Sequence, residues 1–418
     1  MKSTRNYPLL LAGQFLGAFG DNFLLAAILG PLTFQLLSHV ITEQQVNTQN
    51  ALFSAVFFVP FILLAPLAGF INDRLPKTAG LFWGNLLKLA GTAIGFFGVW
   101  RHAGDFHASH MWQVIGYGVV GLGACIYSPA KYGILPEILP AERLVKANGA
   151  VEMLTLIAIL GGRWGGATLY DHTRSLPGCY AASIGLYATA LVLNALMSRT
   201  PSNPGAQLSR SLAAFGSSLA SLVRQPRLSR VLLGCGLFWF AGAVLRSNLQ
   251  GWGLETLASA GVTEITNQKL ALLKIGLIAG VVAGSLLAGV LHKVSDLSWA
   301  RRYGFVLAAS VLLLGSIGGS WGVAVAAFLL LITGLTAGLL LIPLNAALQH
   351  EGDHAALGKT IAVQNFFDYL SMLIGAAFLQ VLTHFGFMPN RVFVALAIAL
   401  ALLSLILRFS RVTPAPRS

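Results

Sequence analysis

Eight ionisable side chains stand inside otherwise apolar stretches of this sequence: Asp21, Lys88, Lys131, Glu152, Arg163, Arg246, Lys274 and Asp368. A charge at the centre of a lipid bilayer costs ~2.5–3.5 kcal/mol on insertion scales, so such residues mark binding sites, ion paths or gates. Their chemistry divides by sign. A carboxylate holds an amine, and a guanidinium grips a phosphate through two parallel hydrogen bonds. Asn22 beside Asp21, and Asn365 one turn before Asp368, add amide groups to the same neighbourhoods.

At a rise of ~1.5 Å per residue, Asp21 lies ~20 Å into its apolar segment, Arg246 ~25 Å and Lys88 ~15 Å. Setting Gly13 against Gly236 and Phe15 against Phe238 brings Asp21 and Arg246 within two positions of equivalence. Opposite charges at similar depth on related segments are expected to meet across a central cleft. Glu152, one turn past Asn148, is expected to pair with Lys88 or Lys131. Lys131 follows Pro129, a residue that frees a carbonyl and can break a helix; a lysine near a helix end can also snorkel to the interface. Phe366, Phe367 and Tyr369 surround Asp368 and read equally well as helix packing. Arg163 beside Trp164 reads as an anchor at the outer interface, and Lys269 and Lys274 as marks of an outer segment end.

Other chemistries have weaker footing. His102, Asp105, His107 and His110 crowd one loop. Their spacing fits no strong metal motif, so a solvated loop and no metal are expected. No Walker phosphate loop is present, so ATP is not expected to drive the chain directly. Neither a nucleophile elbow nor a zinc-binding helix is expected, no cofactor is expected, and the chain is not read as an enzyme.

The elements that carry these residues follow from composition. The 418 residues are 56% hydrophobic and only 10% charged, with a mean hydropathy of +0.74. Soluble proteins carry about 25% charge, so a soluble multidomain chain, a disordered chain, a collagen and a disulfide scaffold are all excluded. The three cysteines, Cys125, Cys179 and Cys235, are far apart and form no disulfide framework or metal spacing. The net charge of +13 reflects basic loops on one membrane face rather than a nucleic-acid partner.

A membrane span needs roughly 20 mostly apolar residues. Such segments fall at about 8–36, 50–71, 78–100, 111–135, 145–170, 177–197, 229–255, 267–291, 300–319, 322–348, 357–384 and 391–410. This predicts an all-α membrane protein of twelve transmembrane helices. A polar stretch at 198–228, with Arg199, Pro201, Pro204, Arg210, Arg224 and Arg227, divides an N-terminal half (1–197) from a C-terminal half (229–418). Lys and Arg concentrate on the side of both termini and the central stretch, which predicts that these are cytoplasmic. The first segment, which Asp21 and Asn22 interrupt, reads as an uncleaved helix rather than a signal peptide.

The halves echo each other. Leu67-Ala68-Gly69 reappears as Leu287-Ala288-Gly289, Leu144-Val145-Lys146 as Leu357-Gly358-Lys359, and Pro129 with Lys131 as Pro343 with Asn345. Parallel six-helix repeats are the architecture of major facilitators, with the substrate site near the midplane between halves. The string Gly69-x-x-x-Asp73-Arg74-x-x-Lys77 resembles the loop signature of that superfamily. The resemblance implies that Asp73 anchors a charge network and meets a helix N-terminus of the other half. The second copy has Lys293 where the Asp would stand, so only the first is expected to act as a latch.

Finer resemblance lies in Gly17-Ala18-Phe19-Gly20-Asp21-Asn22, Tyr127-Ser128-Pro129-Ala130-Lys131-Tyr132-Gly133-Ile134-Leu135-Pro136-Glu137, and Leu144 through Asn148 to Glu152. With these the chain resembles the bacterial lysophospholipid transporter (LplT) family of the major facilitator superfamily. The resemblance implies movement of lysophospholipids, chiefly lysophosphatidylethanolamine, from the outer to the inner leaflet of the bacterial inner membrane. A separate cytoplasmic acyltransferase/acyl-ACP synthetase would re-acylate them. It implies headgroup or gating roles for Asp21, Asn22, Lys131, Glu152 and Arg246, to which the buried-charge reading adds Lys88, Asn365 and Asp368. Substrate lysolipid and membrane lipids are the expected partners, nucleic acid is not, and a monomer is expected. Two other functions fit the same residues. One is a proton-coupled exporter of amphipathic drugs or metabolites, driven through Asp21 or Asp368; the other is a receptor or scaffold, in which midplane charge changes would matter little.

Overall fold

A computed structural model describes residues 5–37, 40, 43–102, 106–205, 207–261, 267–293, 296–316, 322–352 and 357–409. Each of the twelve expected segments is helical among them. The first half holds α1 (Asn6–Leu37), α2 (Glu43–Leu63), α3 (Ala65–Arg74), α4 (Lys77–Arg101), α5 (Phe106–Gly133), the short α6 (Leu135–Ile138), α7 (Leu144–Thr173) and α8 (Leu176–Ala195). After α9 (Leu208–Arg224) come α10 (Pro226–Ser259), α11 (Asn267–Leu291), α12 (Ala300–Ser316), α13 (Gly322–Glu351), α14 (Leu357–His384) and α15 (Pro389–Ile406). Among the described residues, eight helices are long and apolar enough to cross a membrane, and nine if the bent pair α2–α3 is one span.

Proline sets the interruptions. α2 and α3 meet at a 60° bend, with Pro60 inside α2 and Pro66 in the first turn of α3. Each lacks the N–H that would continue the ladder. α3 stops at Arg74 because Leu75 precedes Pro76 and is held extended, at ψ 156°. Pro129, in contrast, does not break α5, which runs on to Gly133.

The polar stretch at 198–228 is not all loop. α9 places Leu208, Leu212, Phe215, Leu219 and Leu222 at helical spacing. Phe215 and Leu222 are buried while Ser217, Ser221 and Arg224 are exposed. One apolar face opposite serines and arginines suits a helix lying along a surface. Turn residues before it masked this signal in the sequence.

The chain forms two compact units. One comprises Met1–Leu139, Leu154–Ser218 and Asp353–Asn365; the other comprises Pro140–Met153, Leu219–Gly352 and Phe366–Ser418. The first therefore includes the start of α14, and the second includes the start of α7. Small residues bring backbones together within each. In the first, a Cβ on Gly91 would lie 2.4 Å from the Gly116 carbonyl, so α4 and α5 touch along bare backbone. In the second, Gly280 and Gly284 of α11 lie as tightly on Leu331 and Leu335 of α13. This is how membrane helices gain close dispersion contact where lipid offers no hydrophobic drive.

Candidate functional site

Asp21 and Lys88 form a buried ion pair within the first unit. Lys88 Nζ lies 2.7 Å from Asp21 Oδ2, and Tyr187 of α8 donates its hydroxyl to Asp21 Oδ1 at 2.8 Å. Tyr117 of α5 donates to the Asp21 carbonyl at 3.2 Å. The ammonium also stands 5.2 Å from the Tyr127 ring centre and 6.0 Å from that of Tyr187. The two side chains are 4% and 12% exposed, so each needs the other: an isolated charge there would be costly. Glycine makes the meeting possible. A Cβ on Gly17 would sit 3.6 Å from Lys88 Nζ, and one on Gly20 would sit 3.0 Å from the Tyr187 ring.

The cation on Asp21 thus comes from α4 of the same unit, a pairing the sequence did not indicate. The sequence pattern instead suggests Glu152 with Lys88 or Lys131, and Asp21 with Arg246. Arg246 lies exposed on α10, in the second unit. Asn22, next along α1, donates to the Ala18 carbonyl at 2.9 Å and receives Arg163 Nε at 3.4 Å. Arg163 is therefore turned onto α1, not splayed as an anchor like Trp164, which is 74% exposed. Gly162 and Gly166 place α7 against the Phe19 and Phe23 carbonyls and so bring Arg163 there.

The loop signature is also assembled in the first unit. Gly69 backs onto Lys359: a Cβ there would lie 3.1 Å from the Lys359 Cα. Asp73 Oδ1 accepts the Lys359 backbone N–H at 3.3 Å, in the first turn of α14, where N–H groups lack intrahelical partners and partial positive charge gathers. Gly358 leaves room for this carboxylate, which would stand 2.7 Å from a Cβ. Lys77 is buried; it donates to the Asn72 carbonyl and lies 3.8 Å from Glu137. Arg74 is exposed, its guanidinium 5.8 Å from the Phe70 ring centre.

The second unit contains the repeated counterpart. Gly289 backs onto Lys146, where a Cβ would lie 2.8 Å from the Lys146 Cα, and a Cβ added to Gly149 would run into the Ser285 carbonyl. Here the closing contact is an amide pair. Asn148 and Gln349 exchange two hydrogen bonds, at 2.9 and 2.8 Å. Gln349 has no charge and stands just past the apolar segment 322–348, at the head of a polar stretch, which is why the sequence did not single it out.

The remaining expected residues are spread over both units. Lys131 is part-buried near the end of α5, 4.4 Å from the Tyr132 ring centre. Glu152 of α7 and Asp368 of α14 are buried in the second unit. Asn365, one turn before Asp368, belongs to the first and donates to the Ser128 hydroxyl at 3.0 Å. Of the clustered histidines, His110 packs edge-on against Phe53 at 5.5 Å. Asp105 and the side chain of His107 lie outside the described residues, as do the side chains of Lys269 and Lys274.

Two hydrolase letter patterns do occur, against expectation: Gly318-x-Ser320-x-Gly322 and His350-Glu351-x-x-His354. An elbow needs a strand-to-helix turn, and no strand occurs among the described residues; Ser320 lies outside them. A zinc site needs both histidines on one helix face, but α13 ends at Glu351 and His354 lies outside the described residues. Glu351 is instead gripped by Arg227 through two hydrogen bonds, at 2.6 and 2.7 Å. Among the described residues no group of three His, Cys, Asp or Glu side chains could hold a metal.

Comparison with known proteins gives a consistent result. A sequence profile of the Major Facilitator Superfamily matches residues 10–376. The lysophospholipid transporter LplT of Photorhabdus laumondii subsp. laumondii is 33% identical over 375 residues, which cover 89% of this chain and 87% of that protein. The protein of the same name from Enterobacter sp. (strain 638) is 34% identical over 371 residues, covering 87% and 85%. Among solved structures, the human organic anion transporter MFSD10 superposes with a TM-score of 0.75 at 16% identity, over 97% of this chain and 99% of its own. The E. coli fucose:proton symporter FucP does so at 0.70 and 15%, over 97% and 98%. At such identities the structural likenesses establish the fold alone.

Proposed function

We propose that this chain, which belongs to the Major Facilitator Superfamily and within it to the lysophospholipid transporter LplT family, moves lysophospholipids across a bacterial inner membrane. The observation that carries the reading is the buried Asp21–Lys88 pair, a carboxylate and an ammonium side by side in apolar surroundings. A lysophosphatidylethanolamine headgroup has the complementary charges. When the pair opens, Asp21 takes the lipid ammonium and Lys88 the phosphate, so partners are exchanged and no charge is left bare. Such exchange replaces the headgroup's hydration, whose loss otherwise makes flipping slow. Arg246 is the second phosphate ligand. Asn22, Lys131, Glu152, Asn365 and Asp368 line the route. The single acyl chain trails in lipid.

The headgroup travels from outer to inner leaflet by alternating access between the halves at 1–197 and 229–418, with both termini and the 198–228 stretch in the cytoplasm. Asp73 of α3, held on the first turn of α14, and the Asn148–Gln349 amide pair are latches of this cycle. A separate cytoplasmic acyltransferase/acyl-ACP synthetase consumes the delivered lysolipid. The transporter acts as a monomer without a cofactor.

The test is transbilayer movement of labelled lysophosphatidylethanolamine in proteoliposomes, with sodium and proton gradients imposed separately. Protein should accelerate it, and Asp21→Asn or Arg246→Ala should each slow it at least about tenfold, a barrier change of ~1.4 kcal/mol. Equal rates in empty liposomes would overturn the reading.

A further inference from the structure

Along α1, three glycines present bare backbone to polar side chains of other helices. Asn194 of α8 lies against Gly13, where a Cβ would be 2.5 Å from its Oδ1; Asn85 of α4 lies against Gly17 at 3.3 Å, and Tyr187 against Gly20. Asn85, Asn194 and Tyr127 are 0%, 2% and 5% exposed. Yet both amide atoms of Asn85, both of Asn194 and the Tyr127 hydroxyl have no hydrogen-bond partner among the described groups. The Asn194 amide sits beside the Tyr127 hydroxyl without making a well-formed bond, and the Lys88 ammonium stands over the Tyr127 ring. Five such atoms therefore lie along the Gly13–Gly17 stretch of α1 and around Tyr127, which with Asn85 adjoins Lys88. Native interiors satisfy the large majority of such atoms, so several on neighbouring side chains call for a shared partner.

Their chemistry identifies the occupant. Amide N–H groups and amide oxygens are open together. A metal cation would satisfy only the oxygens and would be repelled by Lys88. An anion would satisfy only the donors. Water donates and accepts, and buried water makes about three hydrogen bonds. We propose that Asn85, Asn194 and Tyr127 form an internal hydration site between α1, α4, α5 and α8, whose water also takes the Lys88 N–H bonds that Asp21 does not. Hydration keeps this ion pair exchangeable inside an apolar protein. The site stands whatever cargo the transporter carries.

Millisecond X-ray radiolysis, which labels side chains next to ordered water, tests it on the intact protein in detergent. Trp252 is the dry reference: it is fully buried and its indole N–H is bonded to the Leu314 carbonyl at 3.1 Å. Tyr127 should be labelled at least fivefold faster than Trp252. The Asn85→Leu/Asn194→Leu double variant should lower Tyr127 to the Trp252 rate and leave Trp252 unchanged. Wild-type Tyr127 labelled no faster than Trp252 overturns the proposal, and so does a folded double variant in which Tyr127 labelling persists. The wild-type comparison decides alone if the variant fails to fold.

Discussion

Removing the ammonium at position 88 would leave the Asp21 carboxylate in a low-dielectric setting with one phenol as its side-chain donor. Breaking one side of a buried pair costs ~3–5 kcal/mol, whereas replacing both charges is often near neutral. Lys88→Met is therefore expected to lower unfolding stability in detergent by ~3–5 kcal/mol, and Asp21→Asn added to it should restore most of the loss. Lipid movement should be lost in both. A structural pair without a transport role would instead recover activity along with stability. At this scale the sequence revealed that Asp21 and Lys88 were buried charges but not that they were partners. Depth along a segment sorts residues by level only. Which helix faces which depends on Gly17 and Gly20, whose missing side chains admit Lys88 and Tyr187 to α1.

Helix boundaries were legible because apolar length and proline act locally. α11, α14 and the Leu75–Pro76 break fall where the sequence puts them. α9 was missed because its signal is an amphipathic period within a polar stretch. Helix contacts were harder to anticipate, since they depend on small residues whose partners lie far along the chain. Gly149 illustrates this. A methyl group there would meet the Ser285 carbonyl at 2.4 Å, and rigid backbone has no rotamer by which to yield. Gly149→Ala should destabilise the second unit by ~1–3 kcal/mol, as overpacking does, measurable by thermal unfolding.

The turn after α11 should respond to pH. His292 shares a hydrogen bond with the Tyr303 hydroxyl at 2.8 Å. Burial, the larger influence, holds its imidazole below the usual 6.5, and Asp296 opposes this in part. Above pH 6.5 both folded and unfolded forms are neutral and the contribution is complete. As pH falls below 6.5 the unfolded form gains a proton first, so stability is lost until the folded imidazole also titrates. The melting temperature should fall between pH 7.5 and 5.5, and His292→Gln should flatten that part of the curve.

Orientation belongs to the whole molecule, where the imbalance of basic residues was the guide. The three native cysteines are buried, so an introduced thiol reports with little background. A cysteine at Ser202, in the exposed stretch before α9, should react with a membrane-impermeant maleimide only after cells are opened. Labelling of intact cells would reverse the proposed orientation. The fold class was legible at this scale because solvent preference alone nearly fixes it. The composition of the two compact units was not, because the boundary follows contacts and not the central stretch.

That boundary bears on how the polypeptide tolerates being cut. A break at the middle of the chain would separate residues 353–365 from the unit they help to build, and 140–153 from theirs. Each fragment would be born missing a stretch that completes its own body. Made singly, the two pieces are expected to be cleared by quality-control proteases; made in the same cell, each supplies what the other lacks.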